Sequence, residues 1–384
     1  MNYKKPTERP SFGKFVGFDH VVFWVGNAKQ AAAYYTSRLG FNYLAYKGLE
    51  TGTRDVASHV VSNNKVIFEF QSSYDPKDKN RIGEHVQKHG DGVRDVAFTV
   101  EDCKAVFEFA VSKGAKPFKA PEESSDESGT IITASIIPYG DTIHTFVERK
   151  NYKGLFLPGY VKHPDIEIFN TMMEPSNLEF IDHVVCNHPA GEMEVCAQWY
   201  ENSLQFHRFW SVDDSIMHTD YSALNSIVMA DFDEVIKLPI NEPAKGKKKS
   251  QIQEYVDYYA GAGVQHIALN TNDILKSVGN LRKRGVEFLK VPKSYYDNLR
   301  KNIPKMSITI KEDIDMIEEL GILIDYDDKG YLLQLFTKPL EDRPTLFIEI
   351  IQRRNHQGFG AGNFKSLFKA IEDEQAKRGN LTDL

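Results

Sequence analysis

The sequence predicts an α+β fold of two homologous halves, each made of two modules that join a strand–helix unit to further strands. Internal repeats are the basis of this prediction. Three segments recur: Gly92–Asp102 matches Gly263–Asp273, Asp19–Val22 matches Asp182–Val185, and Thr145–Glu148 matches Leu346–Glu349. The first match keeps a constant offset of 171 residues. We therefore expect the 384 residues to form a duplicated structure.

The first repeated segment predicts a strand followed by a helix. In each copy an apolar stretch leads to Asp102 or Asp273, a residue type that caps the start of a helix. The helical pattern then ends at Gly114 or Gly285, and glycine is the usual residue at a helix end. The segment therefore predicts one strand–helix unit that is used twice.

The other two repeated segments predict the remaining parts of each half. The segments at Asp19 and Asp182 are apolar strands that lead into helices with paired aromatic residues. The third segment predicts late strands whose alternation places an aromatic side chain and a carboxylate on one face. The stretch 154–175 is predicted to be a linker, so we expect one domain at 1–153 and a second at 176–384.

Composition and charge limit the possible partners. Hydrophobic residues make up 41% of the chain and charged residues 26%, and the formal net charge is −7. This mild acidity argues against nucleic acid or an anionic membrane as a partner. Cys103, Cys186 and Cys196 are too few and too scattered for a disulfide framework, which indicates a reducing compartment. Without a signal sequence or a long apolar run, the expected location is the cytoplasm.

The repeats also bring out one set of candidate metal ligands. The first half has His20, Asp95 and Glu148 where the second half has His183, His266 and Glu349. Two imidazoles and one carboxylate on three strands match the facial triad of non-haem Fe(II) oxygenases, which leaves open coordination positions. The alternative is that His183 and His266 are hydrogen-bonded core histidines. The repeat favours a metal site in the second half and a metal-free copy of it in the first.

Five blocks in the second half of the chain are distinctive. They are Gln205–Trp210, Pro239–Pro243, Lys249–Tyr255, Gly263–His266 and Gln357–Phe364. With these blocks the sequence resembles the 4-hydroxyphenylpyruvate dioxygenases, a family of the vicinal oxygen chelate superfamily, over nearly the whole chain. The resemblance implies tandem βαβββ modules, two per domain, and a C-terminal helix that begins near Asn363 and gates the site.

The resemblance also implies specific site residues. His183, His266 and Glu349 would hold one Fe(II) per chain. The implied polar residues of the pocket are Ser226, Asn241, Gln251, Gln265 and Gln334. The implied substrate contacts are Phe336 and Phe347, which would flank the substrate ring, together with Phe359, Asn363, Phe364 and Phe368.

The activity that the resemblance implies is the conversion of 4-hydroxyphenylpyruvate and O2 to homogentisate and CO2, in tyrosine and phenylalanine catabolism. A homodimer is implied as well. Hydroxymandelate synthase, which acts on the same substrates, is an alternative, and so is a metal-free binding protein on the same scaffold. A glyoxalase-like isomerase fits less well because the late strand of the third module, 235–240, supplies no fourth ligand.

Other motifs in the sequence receive simpler interpretations. Gly358, Gly360 and Gly362 lack the third glycine position of a dinucleotide fingerprint, so they predict a flexible hinge before the C-terminal helix. His85 and His89 lie one helical turn apart without a third ligand, and we expect them on a solvated face. The basic run 245–249 is expected to be a surface loop. Because it lies close to Gln251 in sequence, it is left open whether this loop borders the active site.

Overall fold

The computed structural model describes residues 5–77, 81–212, 221 and 223–383. Each half contains two βαβββ modules. The first half comprises β1 (Phe15–Trp24), α1 (Ala28–Leu39), β2 (Asn42–Lys47), β3 (Val56–Asn63), β4 (Val66–Ser73), α2 (Ile82–His89), β5 (Gly92–Val100), α3 (Cys103–Ser112), β6 (Lys116–Asp126), β7 (Gly129–Tyr139) and β8 (Thr142–Glu148). The modules run β1–β4 and β5–β8, and α2 connects them.

The second half repeats this order with insertions. After β9 (Val161–Lys162) and α4 (Phe169–Met172), it comprises β10 (Ile181–Asn187), α5 (Met193–Leu204), β11 (His207–Val212), β12 (Ala223–Ala230), β13 (Lys237–Ala244), α6 (Gln251–Tyr259), β14 (Gly263–Asn270), α7 (Ile274–Lys283), α8 (Lys293–Asn302), α9 (Ile314–Leu320), β15 (Leu323–Tyr326), β16 (Tyr331–Phe336), β17 (Phe347–Arg354) and α10 (Phe364–Lys377). The modules run β10–β13 and β14–β17. The predicted α+β class with tandem modules and a C-terminal helix is therefore confirmed.

Each half forms one mixed sheet. The strand order is β6-β7-β8-β5-β1-β4-β3-β2-β9 in the first sheet and β11-β12-β13-β10-β14-β17-β16-β15 in the second. The opening strands of the two modules pair antiparallel at the centre of each sheet, as β1 with β5 and β10 with β14. Each opening strand also pairs parallel with the last strand of its own module. The central strands of the second sheet are the ones that carry the predicted ligands.

The helix caps explain why the repeated segments fold alike. Asp102 Oδ1 accepts a hydrogen bond of 2.9 Å from the N–H of Ala105, and Asp273 Oδ1 accepts one of 3.0 Å from the N–H of Lys276. In both copies the side chain satisfies a backbone donor that the first turn of a helix leaves unpaired. The predicted strand–helix repeat is thus confirmed down to its cap.

The segment 154–175 packs against the first sheet. Its strand β9 pairs antiparallel with β2, and Phe156 is buried in a cluster with Ala45 and Val60. This segment contributes core side chains as well as joining the halves. The domain boundaries at 153 and 176 remain a prediction.

The predicted solvated face of α2 is wrong. His85 and His89 are both buried. The His85 ring lies edge-on against Trp24, and the His89 ring stacks on Tyr259 of α6 at 4.3 Å between centroids. The helix packs its histidines against both halves, which periodicity alone does not reveal because histidine is compatible with buried and exposed positions.

Two short motifs can be compared with the structure. The glycine-rich segment before α10 is a loop that ends in the short 3-10 helix Ala361–Asn363, with Gly360 at φ = +80°. The basic run 245–249 is a loop, and its Lys249 N–H donates to the carbonyl of Thr382. Among the described residues, no helix is long and apolar enough to cross a membrane.

Candidate active site

The three candidate ligands lie on three neighbouring strands. His183 on β10 and Glu349 on β17 both pair with Ala268 of β14, so they stand in one row across the sheet. His266 precedes Ala268 by two residues and therefore points to the same face. The small side chain of Ala268 leaves room for the two longer side chains on either side of it.

The side chains converge at close range. His183 Nε2 lies 3.1 Å from Glu349 Oε2, and His266 Nε2 lies 3.3 Å from the same oxygen. All three residues are buried, and their ligand atoms lie within 4.8 Å of one another. Within the described ranges, no other group of three or more His, Cys, Asp or Glu residues meets this criterion.

Hydrogen bonds fix the orientation of both imidazoles. His183 Nδ1 lies 2.7 Å from Asp182 Oδ1, and His266 Nδ1 lies 2.9 Å from Gln265 Oε1. Because carboxylate and amide oxygens accept hydrogen bonds, each Nδ1 carries the proton. Each Nε2 then presents its lone pair to the centre of the group, which is the tautomer that binds a metal.

The charges around Glu349 determine its ionisation. Burial raises the pKa of Glu349, but the neighbouring His183 and His266 outweigh burial and hold the pKa below its usual value. Burial opposes protonation of His183, yet Glu349 and Asp182 raise its pKa overall. For His266 burial dominates and lowers the pKa. The carboxylate is therefore ionised at neutral pH and available as a ligand.

This donor set fits a divalent transition metal. Two neutral imidazole nitrogens and one carboxylate oxygen suit iron, zinc, copper or nickel, and a facial triad with open positions is typical of non-haem Fe(II) oxygenases. Without a bound cation, burying three ionisable groups in such close contact would cost free energy. The structure thus brings together the predicted ligands in an arrangement that can hold a metal ion.

The position that corresponds to Glu349 in the third module holds a proline. In the fourth module, Glu349 pairs with the residue two positions after His266. In the third module, the parallel pairing of Cys186 with Ile240 places Pro239 opposite the residue two positions after His183. Strand β13 extends beyond the predicted 240 and includes Glu242, but that carboxylate accepts from the N–H of Gly191 at 2.8 Å, away from the triad. The described residues thus offer three ligands at this centre and no fourth from β13.

The matching residues of the first half do not converge in this way. Glu148 accepts a hydrogen bond of 3.0 Å from the N–H of Cys103, and Asp95 accepts from the N–H and hydroxyl of Thr145. Burial raises the pKa of Asp95 to about 6, so this carboxyl group protonates more readily than that of Glu349, whose pKa is lowered. The ring of Phe156 lies 4.8 Å from that of His20 and occupies this interior.

A cavity with an empty volume of ≈ 570 Å³ opens beside the triad. Twelve of the fourteen predicted site residues, all except Gln334 and Asn363, border it. These are His183, Ser226, Asn241, Gln251, Gln265, His266, Phe336, Phe347, Glu349, Phe359, Phe364 and Phe368.

The aromatic rings of the cavity do not form parallel walls. Phe347 stacks on the His266 ring at 4.8 Å, and Phe336 meets Phe347 at 6.1 Å with an angle of 76° between the rings. These two phenylalanines therefore form a corner beside the triad. Phe359 packs edge-on against His183 at 5.1 Å. The predicted role of Phe336 and Phe347 in flanking a substrate ring remains a prediction.

Gln334 and Asn363 lie outside the cavity lining. The Gln334 amide lies so close to Gly360 that a Cβ at that position would overlap it, and neither of its polar atoms has a partner among the described residues. Asn363 Oδ1 accepts a hydrogen bond of 2.9 Å from the hydroxyl of Tyr295. The predicted substrate contacts of these two amides remain predictions.

The C-terminal helix covers the cavity. Phe364 and Phe368 of α10 face it and pack with Leu224 and Ile252. At the other end of α10, Arg378 makes an ion pair of 2.9 Å with the buried Glu254 of α6. The helix is thus held at both ends over the triad.

Comparisons with known proteins agree with this geometry. Residues 17–133 and 180–335 match the Glyoxalase/Bleomycin resistance protein/Dioxygenase superfamily. A 4-hydroxyphenylpyruvate dioxygenase of Tetrahymena thermophila is 58% identical over 99% of this chain and 96% of its own length. One from Xenopus tropicalis is 56% identical over 99% of this chain and 97% of its own length. The chain belongs to the 4-hydroxyphenylpyruvate dioxygenase family.

A solved structure supports the fold of this dioxygenase family member. A mutant of 4-hydroxymandelate synthase from Streptomyces coelicolor superimposes with a TM-score of 0.80 at 29% identity, over 94% of this chain and 98% of that one. The synthase is more distant in sequence than the two dioxygenases, which are 58% and 56% identical to this chain. The predicted family is therefore confirmed, and the chain is an oxidoreductase.

Sequence reasoning missed several residues of this dioxygenase site. Arg353 and Asp182 support His183, and Trp210, Leu367 and Ile371 line the cavity. A signal for Asp182 was present, because the pair Asp-His recurs at Asp19 and His20. Arg353 gave no comparable signal, since its contact with Asp182 depends on how β10 and β17 face each other.

Proposed function

We propose that this dioxygenase converts 4-hydroxyphenylpyruvate and O2 to homogentisate and CO2, a step of tyrosine and phenylalanine catabolism. The conversion balances without a second reductant or 2-oxo acid. One oxygen atom of O2 enters the new carboxylate as CO2 leaves, and the other enters the ring while the side chain migrates to the neighbouring carbon.

The proposed cofactor is one Fe(II) per chain, held by His183, His266 and Glu349. When bound, the iron supplies the redox chemistry that couples O2 to decarboxylation of the 2-oxo acid and hydroxylation of the ring. The chain contributes the two imidazole lone pairs, which Asp182 and Gln265 hold in position, and one carboxylate charge. A facial set of three protein ligands leaves positions for substrate and O2.

The cavity lining suits a small aromatic acid. Its walls are mainly apolar, and besides the ligands its polar side chains are Ser226, Asn241, Gln251 and Gln265. Uncharged amides and a hydroxyl can donate to and accept from a phenol without an added charge. The apolar residues and α10 exclude water from the reacting groups. We propose that these four polar side chains orient the substrate and select for its hydroxyl group.

The observation that best supports this proposal is the convergence of the triad on the wall of an aromatic-lined cavity. The test is reconstitution with Fe(II) without oxygen, addition of 4-hydroxyphenylpyruvate and then O2, and identification of the product. Homogentisate is the expected product. Hydroxymandelate would instead identify the alternative synthase reaction, and the absence of turnover would contradict both enzymatic assignments.

We further propose that the protein is a cytoplasmic homodimer whose contact involves the first half. All three cysteines are free thiols, which suits a reducing compartment. Ile166, Ile168 and Met172 beside the edge strand β9 are exposed apolar side chains, and such a patch often marks an interaction surface. Light scattering of the purified protein should give twice the mass of the chain, and a monomeric mass would contradict this proposal.

A further inference from the structure

A groove outside the active cavity runs between α8 and the first turns of α10. Its empty volume is ≈ 1340 Å³. Ser294, Asn298 and Asn302 line one side, and their spacing of four residues places them on one face of α8. Lys365 and Lys369 line the other side with the same spacing on α10. Two helix faces with hydrogen-bonding groups and positive charge therefore border the groove.

A buried amide of this groove lacks a partner. Asn363 has an exposed fraction of 0% and is among the lining residues. Its Oδ1 is bonded to the hydroxyl of Tyr295, which lines the same groove, whereas its Nδ2 has no partner among the described residues. Buried polar atoms nearly always have partners, and an amide nitrogen can only donate. The missing partner is therefore a hydrogen-bond acceptor.

The charge of the groove favours an anionic acceptor. Within the described part of the chain, no ion pair involves Lys365 or Lys369. Asp325 also lines the groove, but its Oδ1 accepts from the backbone N–H groups of Tyr326 at 3.0 Å and Gly362 at 3.2 Å. The positive end of the α10 dipole adds to the two ammonium groups at this place.

We propose that this groove binds a small oxyanion, phosphate or carboxylate, between Asn363 Nδ2 and the side chains of Lys365 and Lys369. Asn363 immediately precedes α10, so a bound anion would tie the start of this helix to α8. Because Phe364 and Phe368 of α10 cover the active cavity, the anion would hold that cover in place. This consequence for turnover rests on the proposed function, but binding itself does not.

Calorimetry with inorganic phosphate and with succinate tests the site. The double variant Lys365→Gln, Lys369→Gln should weaken binding at least about 10-fold, as expected when two cationic contacts to an anion are lost. The matched control Lys301→Gln, Lys305→Gln removes the same charge from residues outside the groove lining and should bind like the wild type. Binding of only one of the two anions would identify its source as phosphate or carboxylate.

Two results would overturn the proposed site. One is that neither anion binds at concentrations on the order of 10 mM, which would leave a water molecule as the partner of Asn363. The other is that the groove variant binds as tightly as the wild type. Hydrogen exchange of α10 adds a readout that needs no turnover: the anion should slow exchange in 363–369, and unchanged exchange on binding would contradict the link to α10.

Discussion

Asp182 lies 2.7 Å from His183 through its Oδ1 and the ring Nδ1, and Arg353 binds both oxygens of the same carboxylate at 2.9 and 2.8 Å. Burial raises the pKa of Asp182, but Arg353 and His183 outweigh burial and hold it well below its usual value. The carboxylate therefore stays ionised and keeps the proton of His183 on Nδ1. The ring presents Nε2 to the metal site as a consequence.

Replacing Asp182 by Asn should lower the affinity for Fe(II) on the order of 10 to 100-fold, because it weakens the hydrogen bond that orients the metal-binding imidazole of His183. The first half offers a matched control. Asp19 bonds His20 at 2.7 Å and is bound by both Arg149 Nε and Arg149 Nη2. Asp19→Asn should cost similar stability but leave iron affinity unchanged. Equal losses of affinity in a metal titration of both variants would contradict this account.

Replacing Gln265 by Ala should reduce kcat/KM on the order of 10 to 100-fold, because Gln265 both supports His266 and borders the cavity. Steady-state kinetics and iron content measure the two effects separately. A loss much larger than this with full iron content would show that Gln265 contacts the reacting groups directly. Unchanged kinetics would remove it from the site.

Phenylpyruvate, which lacks the ring hydroxyl, should be a poor substrate. The polar side chains Ser226, Asn241 and Gln251 would be left without their partner in the cavity, and each unpaired buried polar group costs about 1 to 3 kcal/mol. The ratio of kcat/KM for 4-hydroxyphenylpyruvate and phenylpyruvate measures the effect. Equal values for the two compounds would show that these side chains do not select the phenol.

The contact between His144 and Tyr200 predicts a loss of stability in acid. His144 Nε2 lies 2.6 Å from the Tyr200 hydroxyl of the other half, and its Nδ1 donates to the Val96 carbonyl. Burial lowers the pKa of His144 to about 4, against about 6.5 in the unfolded chain. The unfolded state thus binds more protons between these values, and stability falls as the pH falls through this range.

Thermal unfolding at pH 7 and pH 5 measures this dependence. The melting temperature of the wild type should fall over this interval, and that of His144→Gln should fall less. Burial also lowers the pKa of His59 to about 4, so the variant should keep part of the dependence. An identical pH dependence in the wild type and the variant would exclude His144 as a contributor.

Much of the fold could be predicted because the chain repeats itself. The Asp caps and the strand–helix order are local features, so Asp102 and Asp273 indicated their helices directly. The ligand set could also be predicted, because comparison of the halves isolated His266 at the position of Asp95. The convergence of the three ligands on one face of the sheet depends on strand register, which the spacing of 83 residues between them does not contain.

Other features depend on packing between distant segments. The linker 154–175 contains Phe156, whose burial against the first sheet has no local pattern. His85 and His89 were expected in solvent because the residues near them in sequence do not indicate that α6 packs against this helix. The orientation of the Gln334 amide depends on the close approach of Gly360, which only the folded chain shows.

The distinguishing prediction is that the second half alone holds the iron that turnover requires. Its most direct test is the iron content and homogentisate yield of Glu349→Ala and Glu148→Ala after reconstitution with Fe(II) without oxygen. Glu349→Ala should bind iron weakly and form no homogentisate, while Glu148→Ala should retain one iron per chain. Loss of the iron from Glu148→Ala, with Glu349→Ala unaffected, would contradict the account.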